Sequence, residues 1–288
     1  MTNKNLVLSP NSEYELLDSG KGQKLERFGK YTLIRRESQA IWKPQKPELW
    51  NASDCEYIRT NEKFGDWKIN NPDLPKEWEF KQGSITMKLK LTPFGHVGVF
   101  PELQEQWNWM RDLIEKQNTS PKVLSLFSYT GAATLAAAAA GASVTHVDAS
   151  KPAITWAVEN QKLSGLTDSP IRWIADDALK FVKREERRGI KYDGIIMDPP
   201  KFGRGPKGEV WQFEDDIPEL LESCKPILSD SPLFFLLTAY TVPISPISLG
   251  NITSQILPES GIEYGELSIE DSQGKLLPTS IFSRWSKI

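Results

Sequence analysis

The feature that most constrains the fold is a regular alternation of strand-like and helix-like segments between residues 101 and 240. Short apolar runs typical of buried strands read, in chain order, "KVLSLF", "SVTHVD", "IRWIA", "YDGIIMD" and "PLFFLLT". Segments with apolar residues at helical spacing precede or separate them: "PELQEQWNWMRDLIEKQ", "AATLAAAAA", "KPAITWAVENQKLS" (with Ser150 as its N-cap), "DALKFVKREERR" and "EDDIPELLESCKPIL". This alternation predicts a parallel sheet with helices on both faces.

Both ends of the chain depart from this pattern. Near the C-terminus, "GIEYGELSIE" and "TSIFSRW" alternate like strands around the turn-rich "DSQGKLLP", which predicts an antiparallel hairpin that closes the sheet. The first 95 residues are divided by Gly, Pro and Asn into short extended segments. We therefore expect an α/β chain with a small β-rich N-terminal domain at residues 1–95, a possible substrate-binding module, and an α/β domain at residues 96–288.

Four tryptophans lie in the N-terminal part, namely Trp42, Trp50, Trp67 and Trp78. Several tryptophans in a small β-rich domain usually form its core. Exposed indole rings would instead form a platform on which nucleic-acid bases stack. The sequence leaves both interpretations open.

Composition excludes several classes of protein. The longest apolar stretch, "LAAAAAGA", is too short to span a membrane, and the first residues lack the apolar core of a signal peptide. Two cysteines, Cys55 and Cys224, and two histidines, His96 and His146, argue against a disulfide framework and against a metal site. We expect a cytoplasmic protein that uses neither a membrane nor a metal, and the oligomeric state stays open.

The charge pattern bears on nucleic-acid binding. A formal net charge of −3 argues against a protein that is cationic over its whole surface. The basic run "KFVKREERRGIK" that begins at Lys180 is either a solvated helix face or a binding patch. Lys201, Arg204 and Lys207 follow the strand "YDGIIMD" directly and favour contacts with an anion.

Residues that follow the strands are the candidates for chemistry, because ligands of open parallel sheets bind at the carboxyl ends of the strands. The first strand runs into "FSYTGAA", which has a single glycine, Gly131, and no phosphate-loop lysine. This argues against a pyrophosphate ligand and favours an adenosine joined to an amino acid, with Ser128, Thr130 and the amides near Gly131 as contacts.

Acidic residues end the next two strands. Asp148 lies 17 residues beyond Gly131 (148 − 131), a spacing that suits an acceptor for two ribose hydroxyls, although it also suits an acid that favours a helix N-terminus. Asp176 and Asp177 end the third strand, where a carboxylate would accept from an adenine amino group or cap the following helix. The sequence does not decide which of the two does which.

The stretch from Val123 to Leu166, followed by "DDAL" and "MDPPKFGRG", resembles the class I S-adenosylmethionine-dependent methyltransferases. It is most similar to the bacterial large-subunit ribosomal RNA methyltransferase branch, which combines an FSYTG loop with a DPPKF motif. The resemblance implies a Rossmann-like, mostly parallel seven-stranded sheet, S-adenosyl-L-methionine as the cofactor, and RNA, ribosomal RNA above all, as the partner.

The resemblance also implies roles for the residues that match its motifs. The methionine part of the cofactor would lie against the first loop, the ribose against Asp148, and the adenine edge against Asp177. The implied cofactor residues are Phe127, Ser128, Tyr129, Thr130, Gly131, Asp148, Ala149, Asp176, Asp177, Ala178 and Asp198. The implied methyl-transfer residues are Asp198, Pro199, Pro200, Lys201 and Phe202, with Phe202 one position later than the aromatic residue of the related DPPY motif.

One departure from the branch bears on the reaction. Members that methylate carbon 5 of cytosine place a nucleophilic cysteine after the fifth strand, whereas this chain reads "FFLLTAYTVPIS" there. We therefore predict methyl transfer to RNA without a cysteine-dependent cytosine carbon-5 mechanism. The alternatives are a methyltransferase that acts on a protein or small molecule, and a non-catalytic RNA-binding protein. A further alternative is an oxidoreductase of the same layered fold, although the single glycine of the first loop argues against it.

Overall fold

The computed structural model describes residues 1–61, 64–240 and 242–287. The strands are β1 (Thr2–Asn3), β2 (Leu6–Leu8), β3 (Tyr14–Gly20), β4 (Gln23–Phe28), β5 (Tyr31–Arg36), β6 (Cys55–Arg59), β7 (Gly65–Ile69), β8 (Glu77–Gln82), β9 (Ile85–Lys90), β10 (Lys122–Leu126), β11 (Ser143–Asp148), β12 (Ile171–Ala175), β13 (Gly194–Met197), β14 (Phe202–Arg204), β15 (Val210–Gln212), β16 (Phe234–Tyr240), β17 (Ile262–Glu270) and β18 (Leu276–Ser286). The α-helices are α1 (Pro47–Trp50), α2 (Gln104–Glu115), α3 (Ala132–Ala139), α4 (Lys151–Leu163), α5 (Ala178–Arg187), α6 (Phe213–Cys224) and α7 (Pro246–Thr253). Two 3₁₀ turns span Pro101–Leu103 and Lys225–Ile227. Among the described helices, none is both long and apolar enough to cross a membrane.

The chain forms two compact units. One unit contains residues 1–6, 105–267 and 280–288, and the other contains residues 7–104 and 268–279. The division into domains at residues 1–95 and 96–288 stays a prediction.

The first unit carries the predicted mostly parallel sheet. Its path is β1-β17-β18-β16-β13-β10-β11-β12, and β10 pairs in parallel with both β11 and β13. β11–β12 and β13–β16 are also parallel, whereas β16 and β18 are antiparallel. The seven strands β10, β11, β12, β13, β16, β17 and β18 confirm the predicted seven-stranded arrangement with its C-terminal hairpin. In the described chain, the short segments β1 and β2 bring the sheet to nine strands.

The central strands are buried on both faces, as is typical of a parallel sheet. All four residues of β13 are buried, as are the last four of β10, so helices cover both faces. One face packs on α5, α6 and α7 through a cluster that includes Phe181, Leu221 and Phe235. Phe234 points to the opposite face, where its ring meets that of Trp109 on α2. This sandwich holds the carboxyl ends of four neighbouring strands at one edge.

Two elements of this unit are absent from the sequence-based prediction. Helix α7 begins after Ser245, whose side chain accepts from the amide of Ile247, and has Pro246 in its first turn. The hairpin β14–β15 has only three residues in each strand, around the polar, glycine-rich "GPKGE". Strands of three residues are too short for an apolar alternation to be recognised in a sequence.

The second unit is β-rich, as predicted. Strands β3 to β7 form a five-stranded sheet in chain order, and β8 pairs with β9. The rings of Tyr14, Phe28 and Phe80 pack edge to face in its core. The carboxylate of Glu26 is buried there and accepts from both Arg35 and the Tyr14 hydroxyl, so the charge is compensated.

Candidate active site

The four predicted loops meet at one edge of the sheet. The parallel register aligns Leu126 with Val147 and with Met197, and Asp148 with Ala175. The loops that follow these strand ends, at residues 127–131, 148–149, 176–178 and 198–202, therefore leave the sheet side by side. This is the edge at which open parallel sheets bind ligands.

The first loop has an unusual backbone. Phe127 and Tyr129 have φ angles of 54° and 49°, in the left-handed region, and Gly131 has a φ of 89°. The left-handed conformation costs a residue with a Cβ atom about 1 kcal/mol or more. A Cβ atom at Gly131 would also lie 3.0 Å from the Cβ of Ala157 on α4. Glycine is therefore required at this position by both backbone conformation and packing.

Polar groups of this loop bind mainly within the protein. The Ser128 hydroxyl donates to Ser125 Oγ at 2.8 Å, and the amide of Gly131 donates to the Ser128 carbonyl at 2.9 Å. Asn160 Nδ2 on α4 donates to the carbonyl of Thr130 at 2.9 Å. Asn160 thus shapes the loop, a role that nothing in the sequence signalled. Ser128 and Thr130 serve the loop's geometry before any ligand arrives.

Helix α3 begins at the end of this loop. Its N-cap is Gly131, and no described side chain caps the helix. The amides of Ala132 and Ala133 therefore receive no acceptor from the side chain of the N-cap residue, and the helix dipole adds partial positive charge there. An anionic group fits this position.

Asp148 connects the first loop to the second strand. Its Oδ2 accepts from the amide of Tyr129 at 2.7 Å, and its Oδ1 accepts from the amide of Ser150 at 2.7 Å. Burial raises the pKa of this carboxyl, and the two amide hydrogen bonds oppose that effect. Each carboxylate oxygen accepts more than one hydrogen bond, so Asp148 can hold the loop and still accept from a ligand.

The structure distinguishes the two acids after β12. Asp177 is the N-cap of α5, and its Oδ1 accepts from the amide of Lys180 at 2.9 Å. Asp176 accepts from the amide of Asp177 and forms an ion pair with Arg184 at 2.6 Å. Both acids are half-buried, and Ala178 is buried beside them. Helix capping is therefore part of the role of Asp177, one of the two possibilities that the sequence left open.

The turn after β13 is fixed by contacts that the sequence did not reveal. Trp211 Nε1 on β15 donates to the carbonyl of Pro200 at 2.7 Å, and the amide of Phe213 donates to the carbonyl of Lys201 at 3.0 Å. The Trp211 ring also lies 4.8 Å from that of Phe127 in the first loop, measured between centroids. Trp211 is 7% exposed and joins the two loops.

Side chains at this turn differ in exposure. Asp198 is half-buried and Pro199 is buried, whereas Pro200 and Lys201 are exposed. The Phe202 ring is 53% exposed and opens the hairpin β14–β15, on which Arg204 is also exposed. The hairpin therefore presents a ring and cations directly after the turn.

The basic run that begins at Lys180 is better explained as a solvated face of helix α5 than as a binding patch. Lys180 pairs with Glu209, Lys183 with Glu219, and Arg184 with Asp176. These contacts occupy much of the positive charge along α5. Lys201, Arg204 and the loop residue Lys207 are the more suitable cations for a ligand at this edge.

Neither cysteine is placed to act as a nucleophile. Cys224 lies on α6 and Cys55 on β6, and both are buried. Burial raises the pKa of Cys55 to about 12 and that of Cys224 above its ordinary value, so both stay thiols at neutral pH. Among the described residues, no group of three His, Cys, Asp or Glu side chains has an arrangement that could hold a metal ion.

Comparison with known proteins identifies one family over more than half of the chain. Residues 49–226 match the family model of S-adenosylmethionine-dependent methyltransferases. The crystal structure of an S-adenosylmethionine-dependent methyltransferase from Agrobacterium tumefaciens superposes with a TM-score of 0.95 and 43% identity, covering 99% of this chain and 95% of that one. The fold also matches SMU.776, a putative methyltransferase crystallised with S-adenosylhomocysteine, with a TM-score of 0.72 and 19% identity over 95% of this chain and 75% of that one.

Curated relatives carry a name that specifies RNA. The ribosomal RNA large subunit methyltransferase K/L of Pseudoalteromonas atlantica is 31% identical over 74% of this chain. The protein of the same name from Shewanella frigidimarina is 35% identical over 49% of this chain. These matches span 28% and 19% of the length of the two relatives, so the chain resembles one part of each.

Proposed function

The chain belongs to the family of S-adenosylmethionine-dependent methyltransferases, and from that premise we propose that it methylates ribosomal RNA. The observation that carries the RNA assignment is the hairpin β14–β15, which presents Phe202 and Arg204 directly after Lys201 and the Asp198 turn. A ring beside cations suits a nucleobase attached to phosphates. The K/L relatives support the same substrate, and ribosomal RNA implies that the enzyme works in the cytoplasm.

The residues at the sheet edge fit the methyl donor. The first amides of α3 would receive the carboxylate of S-adenosylmethionine, because they lack a side-chain cap. Asp148 would accept from the ribose hydroxyls, and Asp177 with the amide of Ala178 would bind the adenine edge. When bound, the cofactor supplies a methyl group already activated by its sulfonium sulfur.

The protein's contribution to the reaction is then mainly placement. Fixing two reactants in line at the correct distance can remove a large part of the barrier to reaction. Pro199 and Pro200 restrict the backbone after Asp198, and Trp211 binds the carbonyl of Pro200. This leaves the Asp198 carboxylate in a defined place from which to orient the acceptor group of the RNA.

The two cysteine thiols limit which atom of the RNA can accept the methyl group. Attack on carbon 5 of cytosine through a covalent intermediate requires a thiolate near the base. Cys224 and Cys55 are buried with raised pKa values, so neither supplies one. We propose transfer to an atom that is itself nucleophilic, such as a base nitrogen.

The test is transfer of labelled methyl from S-adenosylmethionine to RNA extracted from a strain that lacks the protein. We expect label in one modified nucleoside of ribosomal RNA, and no label with the Asp198→Ala variant. RNA from the parent strain, already methylated, serves as the control. Label that appears in protein or in small molecules instead of RNA would refute the proposed substrate.

A further inference from the structure

Two aromatic rings in the β-rich unit are exposed side by side. Phe64 precedes β7, and Phe94 lies in the turn after β9. Their rings are 44% and 58% exposed, with centroids 5.3 Å apart and planes inclined by 43°. About half of each ring is open to solvent, which leaves apolar surface available to a partner.

The backbone beneath the two rings is firmly held. The amide of Gly65 donates to the carbonyl of Pro93 at 2.9 Å, which joins the two turns. Tyr57 also donates through its hydroxyl to the Pro93 carbonyl at 2.9 Å, and Trp67 Nε1 donates to the Thr92 carbonyl at 2.7 Å. The rings therefore stand on a preformed support, which reduces the entropy lost when they bind a partner.

Glycine is needed where this support is tightest. A Cβ atom at Gly95 would lie 2.9 Å from the ring of Tyr57, and Gly95 has a φ of 80°. The turn that carries Phe94 therefore lies directly on the Tyr57 ring. This contact fixes the direction in which the turn projects its aromatic side chain.

The sequence left open whether the N-terminal tryptophans form a core or a stacking platform, and three of them are held within the unit. Trp42, Trp50 and Trp67 are half-buried, and their indole N–H groups donate to Ser19, Asp18 and Thr92 respectively. Their rings thus belong to the structure of the unit. Phe64 and Phe94 carry no polar group and present more of their faces to solvent.

A cationic residue on the neighbouring strand favours one class of partner. Arg59 is exposed, lies opposite Gly65 in the β6–β7 register, and turns its Nε toward the carbonyl of Asn61. An arginine that pairs with the residue after Phe64 favours a nucleic acid, because a cation attracts phosphate while aromatic rings stack on bases.

We propose that the Phe64–Phe94 pair is a stacking platform for an unpaired base of the RNA substrate. This inference rests on the proposed function, because it needs RNA as the substrate. Loss of stacking on one base corresponds to an affinity decrease of about 5- to 150-fold. Stacking involves no phosphate, so the dependence of affinity on salt should stay unchanged.

The test compares three double variants at positions 64 and 94, changed to Ala, to Leu and to Tyr. Binding of a labelled single-stranded RNA of mixed sequence is measured by fluorescence anisotropy at two salt concentrations. We expect the Ala and Leu variants to bind about 5- to 150-fold more weakly and the Tyr variant to bind like the parent. Ile41→Ala is the control, because Ile41 is 87% exposed in the same unit and has no ring.

Each outcome decides between the proposals. Full affinity in the Ala variant overturns the platform while RNA methylation stands. Full affinity in the Leu variant also overturns base stacking, because an apolar side chain without a ring would then be sufficient for binding. A parent protein that neither binds nor methylates RNA overturns the platform together with the proposed function. Melting curves should show every variant folded at the assay temperature, so that a loss of affinity is not a loss of fold.

Discussion

Replacing Trp211 by phenylalanine removes one hydrogen-bond donor and keeps an aromatic ring. The lost bond is the one from Trp211 Nε1 to the Pro200 carbonyl, at 2.7 Å. Pro200 is exposed, so water can replace the donor, and the free energy of unfolding should fall by about 1 kcal/mol. Catalysis should suffer more, because this carbonyl belongs to the turn that carries Asp198, and a displacement of about 1 Å can cost about a hundredfold in rate.

The assay separates placement of the acceptor from binding of the cofactor. We expect Trp211→Phe to lower kcat for methyl transfer about 10- to 100-fold. KM for S-adenosylmethionine should change little, because the phenylalanine ring still contacts Phe127 in the first loop. Trp211→Ala removes that contact as well and should raise this KM in addition.

A matched control exists in the same unit. Trp285 is 5% exposed, and its Nε1 donates to the Ser260 carbonyl at 3.0 Å. Its register partner is Phe235, near the start of β16, so it lies toward the edge of the sheet opposite the site. Trp285→Phe should lose similar stability and keep kcat. A Trp211→Phe enzyme with parental kcat, or a Trp285→Phe enzyme with an equal loss of kcat, would refute the positioning role of Trp211.

Three further predictions concern the same unit. Gly131→Ala should destabilise by about 1–3 kcal/mol in urea unfolding and abolish cofactor binding in calorimetry, because the new Cβ meets Ala157 in a left-handed backbone; an unchanged urea midpoint would contradict this. Asp148→Asn should weaken S-adenosylhomocysteine binding more than about tenfold in calorimetry, since an amide offers one acceptor oxygen instead of two; wild-type affinity would exclude the ribose role. Burial lowers the pKa of His146 to about 3. Below about pH 6.5 this histidine is therefore protonated in the unfolded chain but stays neutral in the folded protein. His146 should thus contribute about 2 kcal/mol to the loss of stability between neutral pH and about pH 5, and His146→Asn should show a shallower decline in urea midpoint.

Much of the fold follows from local pattern. The strands "KVLSLF" and "IRWIA" were predicted within one residue of β10 and β12, because short, mainly apolar runs between polar loops are typical of strands. β10 is buried as expected, whereas β12, at the end of the sheet, is only partly buried. The meeting of the four candidate loops also followed, since the carboxyl ends of parallel strands share an edge. Membership of the methyltransferase family and the use of S-adenosylmethionine are confirmed by the comparisons.

What the sequence did not reveal depends on contacts between distant segments. Asn160 reaches Thr130 across 30 positions, and Trp211 reaches both Pro200 and Phe127. No local periodicity marks such residues, because a polar or aromatic side chain on a helix or strand has many possible partners. Capping by Asp177 was foreseeable as an alternative but needed the geometry of α5 to be established.

These distant contacts explain how the strained loop persists in the folded chain. Two left-handed residues, Phe127 and Tyr129, together cost about 2 kcal/mol or more. The Tyr129 amide donates to Asp148, and the Phe127 ring packs on Trp211, so each strained residue is held by a group that also belongs to the site. The loop, the Asp148 carboxylate and the Asp198 turn are thereby arranged before ligands bind. Loss of Asp148 or Trp211 should therefore affect both loop geometry and ligand placement, which is why the asparagine and phenylalanine substitutions, which preserve shape, are the informative ones.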